Sequence, residues 1–140
     1  YEVLKAQVQA SNTLARLLVV VAAISLVVGG IGIMNVMLVS VAQRTREIGI
    51  RLAVGATERD VQLQFLGESV MLSLVGGVAG VIVSAVASLA FEKIVEWPLS
   101  PSAGGLLLAL VSSLGVGVVF GFYPAWRASQ LEPIDALRHE

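Results

Sequence analysis

Hydrophobic positions in this chain run in long uninterrupted blocks, and the polar positions gather between them. Leu17 to Gln43 holds 27 residues without a formal charge, Ser69 to Phe91 holds 23, and Trp97 to Trp126 holds 30. At about 1.5 Å rise per residue the first block makes a helix of roughly 40 Å, and a bilayer core needs only about 20 residues. Pro98 and Pro101 stand near the start of the third block, so its helix is expected to begin around Ser100, with the Ser100 hydroxyl as cap and Pro101 at the first helical position. The pattern predicts an all-α membrane protein with three transmembrane helices, at 17–43, 69–91 and 101–126.

Tyr1, Leu4, Val8, Ser11, Ala15 and Leu18 follow a 3,4 spacing. This predicts that the first span extends outward over 1–16 as a helical stalk packed on something, and a merely amphipathic flank would show the same spacing. The segment 92–100 is then an extracytoplasmic loop and 127–140 a tail. Composition supports the membrane reading: 56% of residues are hydrophobic, 14% are charged, and the mean hydropathy is +0.88. Three buried helices of a soluble domain would need a polar outer shell, and the charges are too few and too clustered to make one.

The charges give an orientation. Arg44, Arg46, Arg51 and Arg59 lie between the first two spans and Arg127 and Arg138 after the third, against Lys5, Arg16 and Lys93 on the other side. The positive-inside rule then places 44–68 and the C-terminus in the cytoplasm. Tyr123 and Trp126 fall at the cytoplasmic interface and Trp97 at the outer one. A chain that starts outside with Tyr1 and has no signal sequence is expected to be a fragment, preceded by an earlier span and an extracytoplasmic part. A net charge of −1 without a basic stripe gives no argument for nucleic acid, and zero cysteines exclude a disulfide framework or thiolate site.

Within the spans the polar residues are few: Ser25, Asn35 and Ser40, then Ser73, Ser84 and Ser88, then Ser112 and Ser113. No ionisable residue lies at membrane depth, which argues against ion-coupled transport through these helices. Small residues recur instead. Gly29, Gly30 and Gly32 cluster in the first span, Gly76 and Gly80 make a GxxxG in the second that Ser84 and Ser88 continue, and Gly117 and Gly121 make another in the third. Such rows let helices approach closely; a tight bundle that shifts as a unit and ordinary intramembrane packing both use them.

The charged island has local structure of its own. Gly55 can end one helix in the left-handed conformation, and Thr57 with Asp60 has the form of a capping box opening the next. Glu58 and Asp60 also suit the positive end of that helix. Arg44, Glu47 and Arg51 share a face at i, i+3 and i+7, beside an apolar strip of Ile48 and Leu52. The predicted unit is a cytoplasmic helix-turn-helix coupling segment over 44–68. Arginines alone would serve topology and headgroup contact, whereas the interleaved acids favour docking on a cytoplasmic partner.

The runs SLVVGGIGIMNVMLVSVAQRTREIGIRLAVGA (Ser25 to Ala56), FLGESVMLSLVGGVAG (Phe65 to Gly80) and YPAWRASQLEPIDALRHE (Tyr123 to Glu140) resemble the permease domain of MacB-type ABC transporters, within the wider FtsX-like permease superfamily. The resemblance covers the chain past the stalk. It implies spans two to four of a four-span permease that works as a homodimer in the bacterial inner membrane. A fused or separate nucleotide-binding domain would supply ATP and Mg, and in a Gram-negative cell a periplasmic adaptor and an outer-membrane duct would join it. Cytoplasmic ATP hydrolysis would drive extracytoplasmic movement (mechanotransmission) that exports drugs, peptides or lipoproteins. An FtsX-like regulatory permease controlling a cell-wall hydrolase or a signal is the alternative from a different class.

Carried over by matching position, Arg44, Arg46, Glu47, Arg51, Gly55, Thr57 and Asp60 fall in the element that couples to the nucleotide-binding domain. Pro124, Arg127, Pro133, Ala136, Leu137 and Arg138 match a tail pattern with a docking role. The chain carries no GxxxxGK[ST] loop, so it is not expected to bind or hydrolyse ATP by itself, and no nucleophile and base pair suggests an independent enzyme. His139 is expected to be a solvated residue with no metal role.

Overall fold

The computed structural model describes residues 2–95 and 102–132. Among them every regular element is a helix: α1 (Glu2–Gln43), α2 (Thr45–Ala53), α3 (Glu58–Val95) and α4 (Ala103–Ser129). The expectations placed on Tyr1, Trp97, Pro98, Ser100, Pro101, Pro133, Ala136, Leu137, Arg138 and His139 lie outside the described residues.

α1, α3 and α4 are each long and apolar enough to cross a membrane. α1 alone has 42 residues, or about 63 Å at the standard rise, twice the thickness of a bilayer core. The 1–16 segment and the apolar block after it therefore share one helix from Glu2 onward, and every described residue of α1 before Gly30 is exposed. Large apolar side chains such as Leu18, Val28, Val83, Leu107 and Val119 point outward along all three long helices. On a soluble protein so much exposed apolar surface would drive association, whereas in lipid it is the preferred outer face, because the helices satisfy their own backbone groups.

α4 stands in the middle. It packs most extensively on α3 and less on α1, and α1 touches α3 only slightly. Ser102 caps α4: its backbone is extended and its hydroxyl accepts from the Gly105 N–H at 3.1 Å. Among the described residues the helix opens on this serine, whose hydroxyl reaches the third helical N–H.

The buried core is concentrated at one end. Met37 and Val41 of α1, Ile48 of α2, Val61 and Phe65 of α3, and Ala125 and Ala128 of α4 form it, with Ile33, Leu52, Leu66 and Leu131 packed at its edge. All four helices meet there, at the side of the bundle that carries the arginine-rich segment. Pro124 and Arg127, grouped with the tail by resemblance, are both inside α4, and Pro124 is fully buried in this packed end. An interior proline gives up one helical hydrogen bond, which neighbouring helices can compensate in a membrane bundle.

Candidate functional site

The break between α1 and α2 falls at Arg44, where φ is −102° and ψ is 12°. Its cause is local. The Thr45 hydroxyl donates back to the carbonyls of Val41 and Ala42, both at 3.0 Å, which competes with the regular helical ladder and bends the chain. The bend lays α2 across the ends of the other helices, with Ile48 and Gly49 buried beneath it.

α2 closes with the Ala56 N–H bonded to the Arg51 carbonyl at 3.0 Å and the Gly55 N–H to the Leu52 carbonyl at 3.2 Å. Gly55 takes φ +110°, which a side chain would strain, so this is a Schellman closure that needs glycine. α3 then opens on reciprocal bonds: the Asp60 N–H donates to the Thr57 hydroxyl at 3.2 Å, and the Thr57 N–H donates to the Asp60 carboxylate at 3.1 Å. The Thr57 hydroxyl also donates to Asp60 at 2.6 Å. These bonds, the side-chain one first, hold the Asp60 carboxyl below its ordinary range.

A carboxylate with a lowered folded pKa adds stability that is present above its unfolded value, about 3.9, and is lost as pH falls through the lowered folded value. The 54–60 turn is therefore expected to loosen only in acid. In the Thr57→Val variant Asp60 should titrate closer to its ordinary value. Hydrogen exchange at the Ala56 to Val61 amides across the acid range checks both outcomes.

Charged groups brace the same region from outside. Arg44 reaches Glu68 at 3.4 Å with both side chains about half exposed. Arg51 donates to Glu47 at 2.5 Å and to Gln64 at 2.6 Å, tying α2 to α3. Gln130 donates to Glu58 at 3.1 Å, tying the end of α4 to the start of α3. Exposed pairs of this kind contribute about 0–1 kcal/mol each, while truncating a buried Ile or Leu costs about 2–5 kcal/mol. The apolar seat under Ile48 holds α2, and the ions fix its register. Among the described residues nothing packs on the opposite face of α2, where Arg46, Ile50 and Val54 are all exposed, Val54 to 84%.

The seven glycines expected to pack helices divide cleanly. A Cβ on Gly117 would lie 2.8 Å from the Ser73 Cβ and 3.0 Å from the Val70 Cα. One on Gly121 would collide with Ser69, and one on Gly30 with the Phe120 ring. Gly29, Gly32, Gly76 and Gly80 have no such neighbour within 4 Å. The close row on α3 is instead Ser69, Ser73 and Gly77, where a Cβ on Gly77 would come 2.8 Å from the Ser113 Cβ. Facing it on α4 are Ser113, Gly117 and Gly121. Both rows repeat every fourth residue, a small-residue spacing present in the sequence but one position away from the Gly76–Gly80 pair. Hydroxyls seal the contact: Ser69 donates to the carbonyls of Leu66 at 2.8 Å and Gly117 at 3.0 Å, Ser73 donates to the Ser113 carbonyl, and Ser113 donates to the Ser73 carbonyl at 2.5 Å.

Among the described residues no group of three His, Cys, Asp or Glu could hold a metal ion. The site is one short helix seated on the joined ends of three apolar ones.

The described residues form an all-helical bundle with three helices long and apolar enough to cross a membrane, and comparison with known proteins gives the family. FtsX-like permease C-terminal matches residues 19–133, and the chain belongs to that family. It is 54% identical over 130 residues to the macrolide export ATP-binding/permease protein MacB of Bdellovibrio bacteriovorus, covering 93% of this chain and 20% of that protein. It is 54% identical over 140 residues to MacB of Chromobacterium violaceum, covering 99% and 22%. It is 53% identical over 131 residues to the probable syringafactin export ATP-binding/permease protein SyfD of Pseudomonas syringae pv. syringae, covering 93% and 20%. The chain spans about a fifth of the length of these relatives.

Proposed function

We propose that this chain is the permease segment of an ATP-driven exporter and passes force from a nucleotide-binding domain, which would hold ATP and Mg, to an extracytoplasmic part. The observation that carries this reading is α2: bound through Ile48 to a core shared by all four helices, yet presenting Arg46, Ile50 and Val54 outward. A push on α2 has to move the ends of α1, α3 and α4 together, because close-packed interiors transmit displacement and do not absorb it.

The excess of arginine in 44–68 and the tail favours a cytoplasmic α2 and C-terminus. Arg44, Glu47, Arg51, Gly55, Thr57 and Asp60 then shape and brace the coupling element, while the exposed face of α2 contacts the motor. The names of the relatives, which speak of macrolide and syringafactin export, favour export over control of a cell-wall hydrolase. A homodimer joined to a periplasmic adaptor and an outer-membrane duct completes this reading. It requires no ionisable group at membrane depth, and the apolar blocks contain none.

The test uses the full-length transporter. Ile50→Asp combined with Val54→Asp changes two exposed side chains, so stability should stay within about 0.5 kcal/mol. Crosslinking from a cysteine at position 46 to the nucleotide-binding domain should be lost, and export should fall at least about tenfold, equivalent to roughly 1.4 kcal/mol of coupling. Unchanged export and crosslinking in that variant would remove α2 as the docking element.

A further inference from the structure

α1 and α3 touch only slightly, and between them lies a crevice of about 340 Å³ lined by Val36, Met37, Ser40, Glu68, Met71, Leu72 and Val75. Its apolar walls are open, with Val36, Met71 and Val75 each more than half exposed, and they belong to the two uncharged blocks, so they sit at hydrocarbon depth. Its mouth is different: Glu68 lines it, and Arg44 reaches Glu68 from outside the lining. Glu68 is the last charged residue before 69–91, and Arg44 is the first after 17–43. The two side chains meet at 3.4 Å through one guanidinium nitrogen and one carboxylate oxygen, and remain 47% and 41% exposed.

We propose that this crevice binds one phospholipid of the leaflet on the α2 side, and that its mouth selects a phosphoethanolamine headgroup. A phosphate placed beside Arg44 finds guanidinium N–H groups that the Glu68 bond does not use. The ammonium that follows two carbons later then lies against the second carboxylate oxygen of Glu68. Each partner of the protein's ion pair gains an opposite charge and a charge-assisted hydrogen bond, so the headgroup completes a four-member alternating array.

Other headgroups satisfy half of it. Phosphatidylglycerol offers Arg44 a phosphate but leaves Glu68 facing a second negative charge. Phosphatidylcholine carries a positive charge with no N–H, so Glu68 gains no hydrogen bond. Below the headgroup, one acyl chain lies against the open wall of Val36, Met71 and Val75, where its CH₂ groups replace lipid contacts. The selection resides in Glu68, and the seat in the groove.

The experiment is lipid retention by the full-length transporter, read by native mass spectrometry after exchange into mild detergent with equal amounts of phosphatidylethanolamine, phosphatidylcholine and phosphatidylglycerol. The wild type should retain phosphatidylethanolamine roughly fivefold or more over either competitor, and successive N-methylation of that lipid should erase the preference stepwise. Glu68→Leu, which removes both the charge and the acceptor, should bring all three lipids to the same level, while Glu92→Gln, at the far end of α3, should leave the preference intact. Val75→Trp fills the wall without touching the ions and should lower retention of every lipid. Equal retention of the three lipids by the wild type, a preference that survives Glu68→Leu, or an inter-copy disulfide forming readily at Val75→Cys, which would put a second copy in the groove, overturns the proposal. The wild-type series needs no variant, so a misfolded mutant cannot decide the outcome.

Discussion

In the full-length protein, Gly121→Val is expected to unpack α4 from α3 and to lower stability by about 3 kcal/mol or more, the upper range for overpacking a filled interior. The added Cβ would occupy the position of the Ser69 side chain. Ser69 is fully buried and bonded to the Leu66 and Gly117 carbonyls, so it cannot swing aside without leaving its hydroxyl unpaired in an apolar setting. Gly121→Ala should cost less, and combining it with Ser69→Gly should restore more than half of that loss, because the clash is between these two positions and the double mutant removes it. Gly76→Ala and Gly80→Ala meet no neighbour among the described residues and should leave stability unchanged or raise it by up to about 1 kcal/mol. Thermal unfolding of the purified protein in detergent measures all of these. A Gly121→Ala variant as mild as Gly80→Ala would refute the close approach of the two helices.

That contrast explains why only part of the packing was legible in the sequence. The glycine pairs at 76/80 and 117/121 look alike as strings, yet only the second pair faces a neighbour. On α3 the contact row is Ser69, Ser73 and Gly77, one position from the row of Gly76, Gly80, Ser84 and Ser88 that the glycine pair suggests. One position is about 100° of helix rotation, enough to turn a row from a neighbour to lipid. Turn chemistry was readable because its bonds span three to five residues: Gly55, Thr57 and Asp60 determine their own geometry wherever the segment is placed. Arg44 shows the opposite case. Helical spacing groups it with Glu47 and Arg51, but its ionic partner is Glu68, 24 residues away, and no local period carries that information. The core under α2 was hidden for a related reason. Val61 and Phe65 lie within a stretch whose charges dominate its appearance, and their burial depends on α1 and α4 arriving at the same place.

Ile48→Asp should have the largest effect on coupling while sparing the spans. Ile48 is 3% exposed among Met37, Val41, Val61, Phe65, Ala125 and Ala128. An aspartate there would bury a carboxylate with no partner, at a cost of several kcal/mol, which exceeds what the Arg51 and Arg44 contacts can hold at about 0–1 kcal/mol each. α2 is therefore expected to leave its seat. The Ser69, Ser73 and Ser113 hydroxyl contacts of α3 and α4 lie further along the bundle and do not involve α2, so the membrane helices should stay paired. The signature is a divided one: trypsin cleaves at Arg46 and Arg51, while the α3–α4 unit keeps its resistance. Under the proposed function ATP hydrolysis continues and export falls more than about tenfold, since the motor grips a helix that no longer moves the others. Ile48→Val removes one methyl group, costs about 0.5–1.5 kcal/mol, and should retain most export. Ile50→Asp, on the exposed face, gives the complementary pattern of an intact seat with a lost partner contact, so the two variants separate how force enters α2 from how it leaves.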